Sequence, residues 1–101
     1  MEFLVEIEVR LPAELDEHVR TKLLEDEFAR GKELAQSGLM QAIWRVPGRR
    51  ANRGIWNATD ATELHAALVS LPLWPYMDVA VTPLAVHPLS ESCRGLPSAG
   101  G

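Results

Sequence analysis

Two prolines three residues apart, within Leu71-Pro72-Leu73-Trp74-Pro75-Tyr76-Met77-Asp78, restrict this chain more than any other feature of its sequence. Each fixes φ and lacks a backbone donor, so Leu71 to Pro75 is expected to be a stiff, non-helical connector. It carries Leu73, Trp74 and Tyr76, large side chains that must be covered by something. A chain of 101 residues has a small interior. Either that interior or a neighbouring subunit is expected to take them, which makes Leu73, Trp74 and Tyr76 candidate oligomer-interface residues. Beyond the connector, Val79 and Val81 alternate with Asp78 and Ala80, as in a strand with one buried face.

The rest of the chain supplies the partners for that strand. Phe3, Val5, Ile7 and Val9 alternate with Glu6, Glu8 and Arg10 over residues 2–11, a half-buried strand closed by Leu11-Pro12. Asp16 is placed to cap a helix that runs to Gln36, with Leu15, Val19, Leu23, Leu24, Phe28, Leu34 and Ala35 at helical spacing and Ser37-Gly38 as its stop. Leu39 to Val46 reads as a second strand, with Met40, Ala42, Trp44 and Val46 facing one way and Gln41 and Arg45 the other. Pro47-Gly48-Arg49-Arg50 has turn chemistry, and Ala51 to Asn57 returns as a third strand. Asp60 and Glu63 have capping-box spacing before a second helix to about Ser70, whose inner stripe is Ala61, Leu64, Leu68 and Leu71. A fourth strand follows from Met77 to about Val86.

The order β-α-β-β-α-β implies an α+β fold, the ferredoxin-like four-stranded antiparallel sheet with two helices on one face. The other face is expected to expose apolar groups such as Trp56 or Trp44, which favours pairing of subunits as in a dimeric α+β barrel. Residues 1–88 form the expected domain, and 89–101 a disordered tail.

Composition excludes several functions. The chain is 47% hydrophobic and 24% charged, as in ordinary globular domains, and no run is long enough to span a membrane. Its N-terminus lacks a basic leader, so the cytoplasm is the expected location. Cys93 is the only cysteine, which leaves no disulfide framework and no cysteine metal site. The net charge of −4 argues against nucleic acid. Charge is unevenly spread: Arg45, Arg49, Arg50 and Arg53 cluster, and could meet a small anion or pair with acidic neighbours.

Glu27 is the candidate catalytic residue. Helical spacing puts it on or beside the stripe facing the sheet, where apolar surroundings disfavour its ionised form and bring it toward the range of a general base. The alternative is that it belongs to the solvated run Glu25-Asp26-Glu27, paired with Arg30 or Lys32. Asn52, alternating with Gly54 and Trp56 on the third strand, could join the arginines as donors to a carboxylate and a developing enolate. His65, His18 and His87 have no second ligand at metal spacing, and no phosphate loop or nucleophile elbow is present. Catalysis, if any, is expected to be cofactor-free proton chemistry.

Leu11-Pro12, Asp26-Glu27, Leu39 to Gly48 with Trp44-Arg45, Ala51-Asn52, Glu63-Leu64-His65, the LPLWPYMD segment and His87-Pro88 together resemble the muconolactone Δ-isomerase family. The resemblance runs over residues 1–88. It implies subunits that pair and assemble into a decameric ring, and an isomerase of the catechol branch of aromatic degradation that converts muconolactone to 3-oxoadipate enol-lactone. Some relatives instead eliminate chloride from a chlorinated lactone. It also implies Glu27 as a base that takes a proton from C4 and returns it at C2, Asn52 or a backbone N–H on the enolate oxygen, and Arg45, Arg49 or Arg50 on the substrate carboxylate, with Trp56 lining the pocket. The chain departs from the family pattern at 49, 50 and 53, where Arg replaces His, Tyr and Tyr, and at Asn57, which replaces an acid. Two rivals stay open: a cofactor-independent monooxygenase of the dimeric α+β barrel type, with Trp44, Trp56 and Asn52 around an aromatic pocket, and a non-catalytic ligand-binding ring protein.

Overall fold

The computed structural model describes residues 1–94, arranged as β1 (Glu2–Val9), α1 (Glu17–Gln36), β2 (Met40–Arg45), β3 (Ala51–Asn57), α2 (Ala61–Val69), β4 (Met77–Leu84) and α3 (Ser90–Arg94). The strands form one antiparallel sheet in the order β2-β3-β1-β4. This is the ferredoxin-like α+β arrangement.

The most regular alternation in the sequence takes the centre of the sheet. β1 pairs with β3 on one side and β4 on the other, and its Phe3, Val5 and Ile7 are each at most 3% exposed. With Trp56, Ala58, Leu34, Leu64, Ala67, Leu68 and Leu71 they form the core. Burial of each large apolar side chain contributes roughly 1.5–3 kcal/mol, so this one layer dominates the stability of the domain.

Both helix starts are capped as the residues suggest. The Asp16 carboxylate accepts from the N–H groups of His18 and Val19 at 3.0 and 3.3 Å. The Asp60 carboxylate accepts from the Glu63 N–H at 2.9 Å, and Glu63 reaches back to the Thr59 N–H at 2.6 Å, one residue earlier than in a standard capping box. At the other end of α1, Gly38 adopts φ +89°, which a side chain would disfavour.

The connector departs from expectation in two ways. Trp74–Tyr76 forms a 3₁₀ turn, with the N–H groups of Trp74 and Tyr76 donating to the carbonyls of Leu71 and Leu73. Pro75 sits inside that turn because its missing donor is one the turn does not use. Leu73, expected at a subunit interface, is only 4% exposed within its own chain, whereas Trp74 and Tyr76 stay half-buried at the surface.

A β-bulge between Met40 and Ala42 reverses the facing of β2. Rows across the sheet read Phe3–Trp56–Met40, Val5–Gly54–Ile43 and Ile7–Asn52–Arg45. Trp56 is therefore under the helices and 1% exposed, not on the uncovered face, and Ile43 and Arg45 rather than Trp44 point to the helix side. Trp44 is 61% exposed. Gly54 is required where the strands close up at the bulge: a Cβ there would lie 2.8 Å from the Ala42 carbonyl oxygen.

Of the segment expected to be a tail, Ser90–Arg94 makes the short helix α3, begun by a bond from the Leu89 N–H to His87 Nδ1 at 2.9 Å. Residues 95–101 lie outside the described residues. Among those described, no helix is long and apolar enough to cross a membrane.

Candidate active site

Between α1 and the β2–β3 side of the sheet lies a cleft of about 740 Å³. From α1 it receives Arg20, Leu24, Glu27, Phe28, Gly31, Lys32 and Ala35, which fall on successive turns of one helix face. The sheet supplies Ile7, Val9, Ile43, Arg45, Asn52 and Trp56 as floor, Arg50 and Trp44 stand at the edge, and Leu71 and Leu73 close the inner end.

Glu27 belongs to both faces of α1 at once. It lies one turn after Leu23 and two turns before Leu34, the one α1 residue that is fully buried, so the helix is held down beside it. Its side chain is half-buried, and Oε1 accepts the Leu73 N–H at 2.9 Å. The proline-bounded connector thus places a backbone donor where it orients the carboxylate. Burial raises the Glu27 pKa above the usual carboxylate value, and the Leu73 hydrogen bond offsets part of that rise by favouring the ionised form. The alternative of a solvated pair with Arg30 or Lys32 is not what the geometry gives. Arg30 donates instead to Ser70 Oγ and Glu33, both at 2.9 Å, fastening α1 to the end of α2.

The arginines separate into two sets. Arg45 and Arg50 line the cleft with Asn52, which is the cross-strand neighbour of Arg45. Arg49 does not line it: its guanidinium pairs with Glu8 at 2.7 Å, on the opposite face of the sheet. Arg53 likewise pairs with Glu6 at 2.8 Å. Of Arg49, Arg50 and Arg53, only Arg50 adds charge to the cleft, because β3 alternation and the 48–50 turn carry the other two to acids on β1. Asn57 accepts a hydrogen bond from the N-terminal ammonium at 2.9 Å, away from the site.

The cleft holds two further cations: Arg20, which the sequence does not single out, and Lys32, expected there only as a solvated partner for Glu27. Arg20 is half-buried on the cleft wall two turns before Glu27, and Lys32 lies beside Gly31. Arg20 is legible in principle, since seven residues is two helical turns, but a cation does not belong to an apolar stripe. Conversely Val19, Leu24 and Phe28 are not core residues: they are 47%, 47% and 71% exposed. Leu24 and Phe28 instead form the mouth of the cleft.

The cleft therefore has one raised-pKa carboxylate, four cationic side chains and an apolar floor. Such a set has the chemistry to bind an anion with a flat apolar body and to move a proton on it. Among the described residues, no three His, Cys, Asp or Glu side chains gather to hold a metal ion.

These features define a class: a ferredoxin-like α+β subunit with an acid–base cleft between its first helix and its sheet. Residues 1–90 match the family model described as muconolactone delta-isomerase. The chain is 40% identical over 85 residues to the muconolactone Delta-isomerase of Rhodococcus opacus, covering 84% of this chain and 91% of that protein. It is 40% identical over 87 residues to muconolactone Delta-isomerase 2 of Acinetobacter lwoffii, covering 86% and 91%. A crystal structure of muconolactone isomerase, 37% identical, superposes with a TM-score of 0.84 over 89% of this chain and 94% of the other. The chain belongs to the muconolactone delta-isomerase family.

Proposed function

We propose that this protein is a cofactor-free isomerase that moves the ring double bond of a carboxylated lactone, muconolactone or a close relative, to give the enol-lactone. The observation that carries this is Glu27: a half-buried carboxylate with raised pKa, oriented by the Leu73 N–H, in a cleft whose other charged side chains are cations. Membership of the family favours this over a monooxygenase or a non-catalytic binding protein.

The residues divide the chemistry as follows. Arg45 and Arg50, with Arg20 and Lys32 on the opposite wall, hold the carboxylate side arm and fix the ring over Ile7, Trp56 and Ile43. Glu27 takes the proton from C4. The C4–H bond breaks, its electron pair forms C3=C4, and the former C2=C3 pair becomes a dienolate with charge on the lactone carbonyl oxygen. Asn52 donates to that oxygen. Protonated Glu27 then delivers the proton to C2 and is restored. One carboxyl group on one ring face reaches both carbons, so a single base suffices.

The half-buried Trp74 and Tyr76 and the exposed Trp44 support a homo-oligomer. We propose dimers assembling to a decamer, and a cytoplasmic location, from the family resemblance alone; a monomer in sedimentation velocity would exclude that assembly. The function is tested by adding authentic muconolactone to purified protein and following its ultraviolet change, with the product identified by NMR. Catalysed formation of the enol-lactone is expected. Stoichiometric binding with no product would reject an isomerase.

A further inference from the structure

Gly31 stands inside α1, one turn after Glu27 and on the same face. Glycine weakens a helix interior, because it has more backbone freedom to lose than alanine and buries no side chain. Its usual justifications do not apply here. The helix runs unbroken from Glu17 to Gln36, and Gly31 has no left-handed φ. No neighbouring element presses on it either, for a Cβ at this position would meet nothing within 4 Å beyond its own stretch of helix. Contrast Gly54, where the Ala42 carbonyl oxygen leaves no room.

Gly31 is nevertheless half-buried and forms part of the cleft wall. The space in front of it is cleft, and it adjoins the carboxylate one turn away. We infer that Gly31 is a specificity-determining residue, kept free of a side chain so that the bound lactone can lie against the α1 backbone beside Glu27. Any group attached here projects into the volume that the substrate ring or its side arm fills. Residue 31 thereby sets the largest ring substituent that the site accepts next to its base. This rests on the proposed isomerase function.

The test is the pair Gly31→Ala and Gly31→Leu, two good helix formers of different length, assayed with muconolactone beside the unaltered protein. Removing a helical glycine should raise Tm by roughly 4–8 °C in a domain of this size. Filling the cleft should raise KM about 10-fold for alanine and roughly 100-fold for leucine, the scale on which apolar pockets reject added methylenes. Higher Tm with graded loss of kcat/KM and unchanged sedimentation supports the inference. A higher Tm with unaltered KM overturns it, as does a lower Tm, which would mean that the methyl meets protein. Altered sedimentation with unaltered KM also overturns it, because the space would then belong to a second copy of the chain. If the unaltered protein fails to turn over muconolactone, it is the isomerase reading that fails.

Discussion

At the scale of single residues, the site depends on one carboxylate held partly out of water. Glu27 must be ionised to take a proton, and burial favours its neutral form, so kcat/KM should fall on acidification through a pKa above the ordinary carboxylate value near 4.5. An acidic limb at or below that value would contradict the environment described. The same shift has a sign for stability. The folded state binds the Glu27 proton more tightly than the unfolded chain, so folding is more favourable below the ordinary carboxylate pKa. That part is lost as pH rises through the raised value. The arginines allow a sharper residue-level test. Arg45→Ala and Arg50→Ala should each raise KM about 10-fold or more, as expected for losing a charged hydrogen bond to substrate. Arg49→Ala should leave KM within about twofold, because its partner is Glu8 on the other face. An equal effect of all three on initial rates would place Arg49 in the cleft as well.

At the scale of elements, what could be read from the sequence was whatever alternation and caps encode locally. β1 and α1 were legible because Phe3, Val5 and Ile7 keep strict period, and because Asp16 and Gly38 mark where the helix begins and ends. β3 was found at its observed bounds, Ala51–Asn57. The facing of β2 was not legible, since a bulge leaves no mark in a short apolar run and one extra residue turns every later side chain over. That is why Trp44 and Arg45 exchange faces, whereas Trp56 lies in the core because β3 sets it opposite Phe3 of β1. Gly54 is the nearest thing to a signal, and its role is testable. Gly54→Ala should cost about 1–3 kcal/mol, the usual penalty for overpacking, because the atom in the way is the Ala42 backbone carbonyl and cannot swing aside. Thermal unfolding measures it; an unchanged Tm would show that the bulge can relax.

At the scale of the whole molecule, fold and site share their parts. The connector with two prolines fills the core with Leu71 and Leu73, and in the same turn gives the Leu73 N–H to Glu27. Glu27 itself was legible from helical phase, but its hydrogen-bond partner was not, since 46 residues separate the two and only the packing of α1 beside the connector joins them. The loose second cluster of arginines was likewise sorted only by the sheet, which sends Arg49 and Arg53 to acids on β1 and leaves Arg45 and Arg50 at the cleft. All of the proposed chemistry passes through one oxygen pair under the first helix. The most direct measurement is therefore the rate of muconolactone isomerisation by Glu27→Gln, which retains an acceptor for the Leu73 N–H but cannot take a proton. Turnover two to four orders of magnitude below that of the unaltered protein, the usual worth of a general base, with Tm at neutral pH equal or higher, is the expected result. Turnover within a few-fold of the unaltered protein would contradict it, and the base would have to be sought elsewhere.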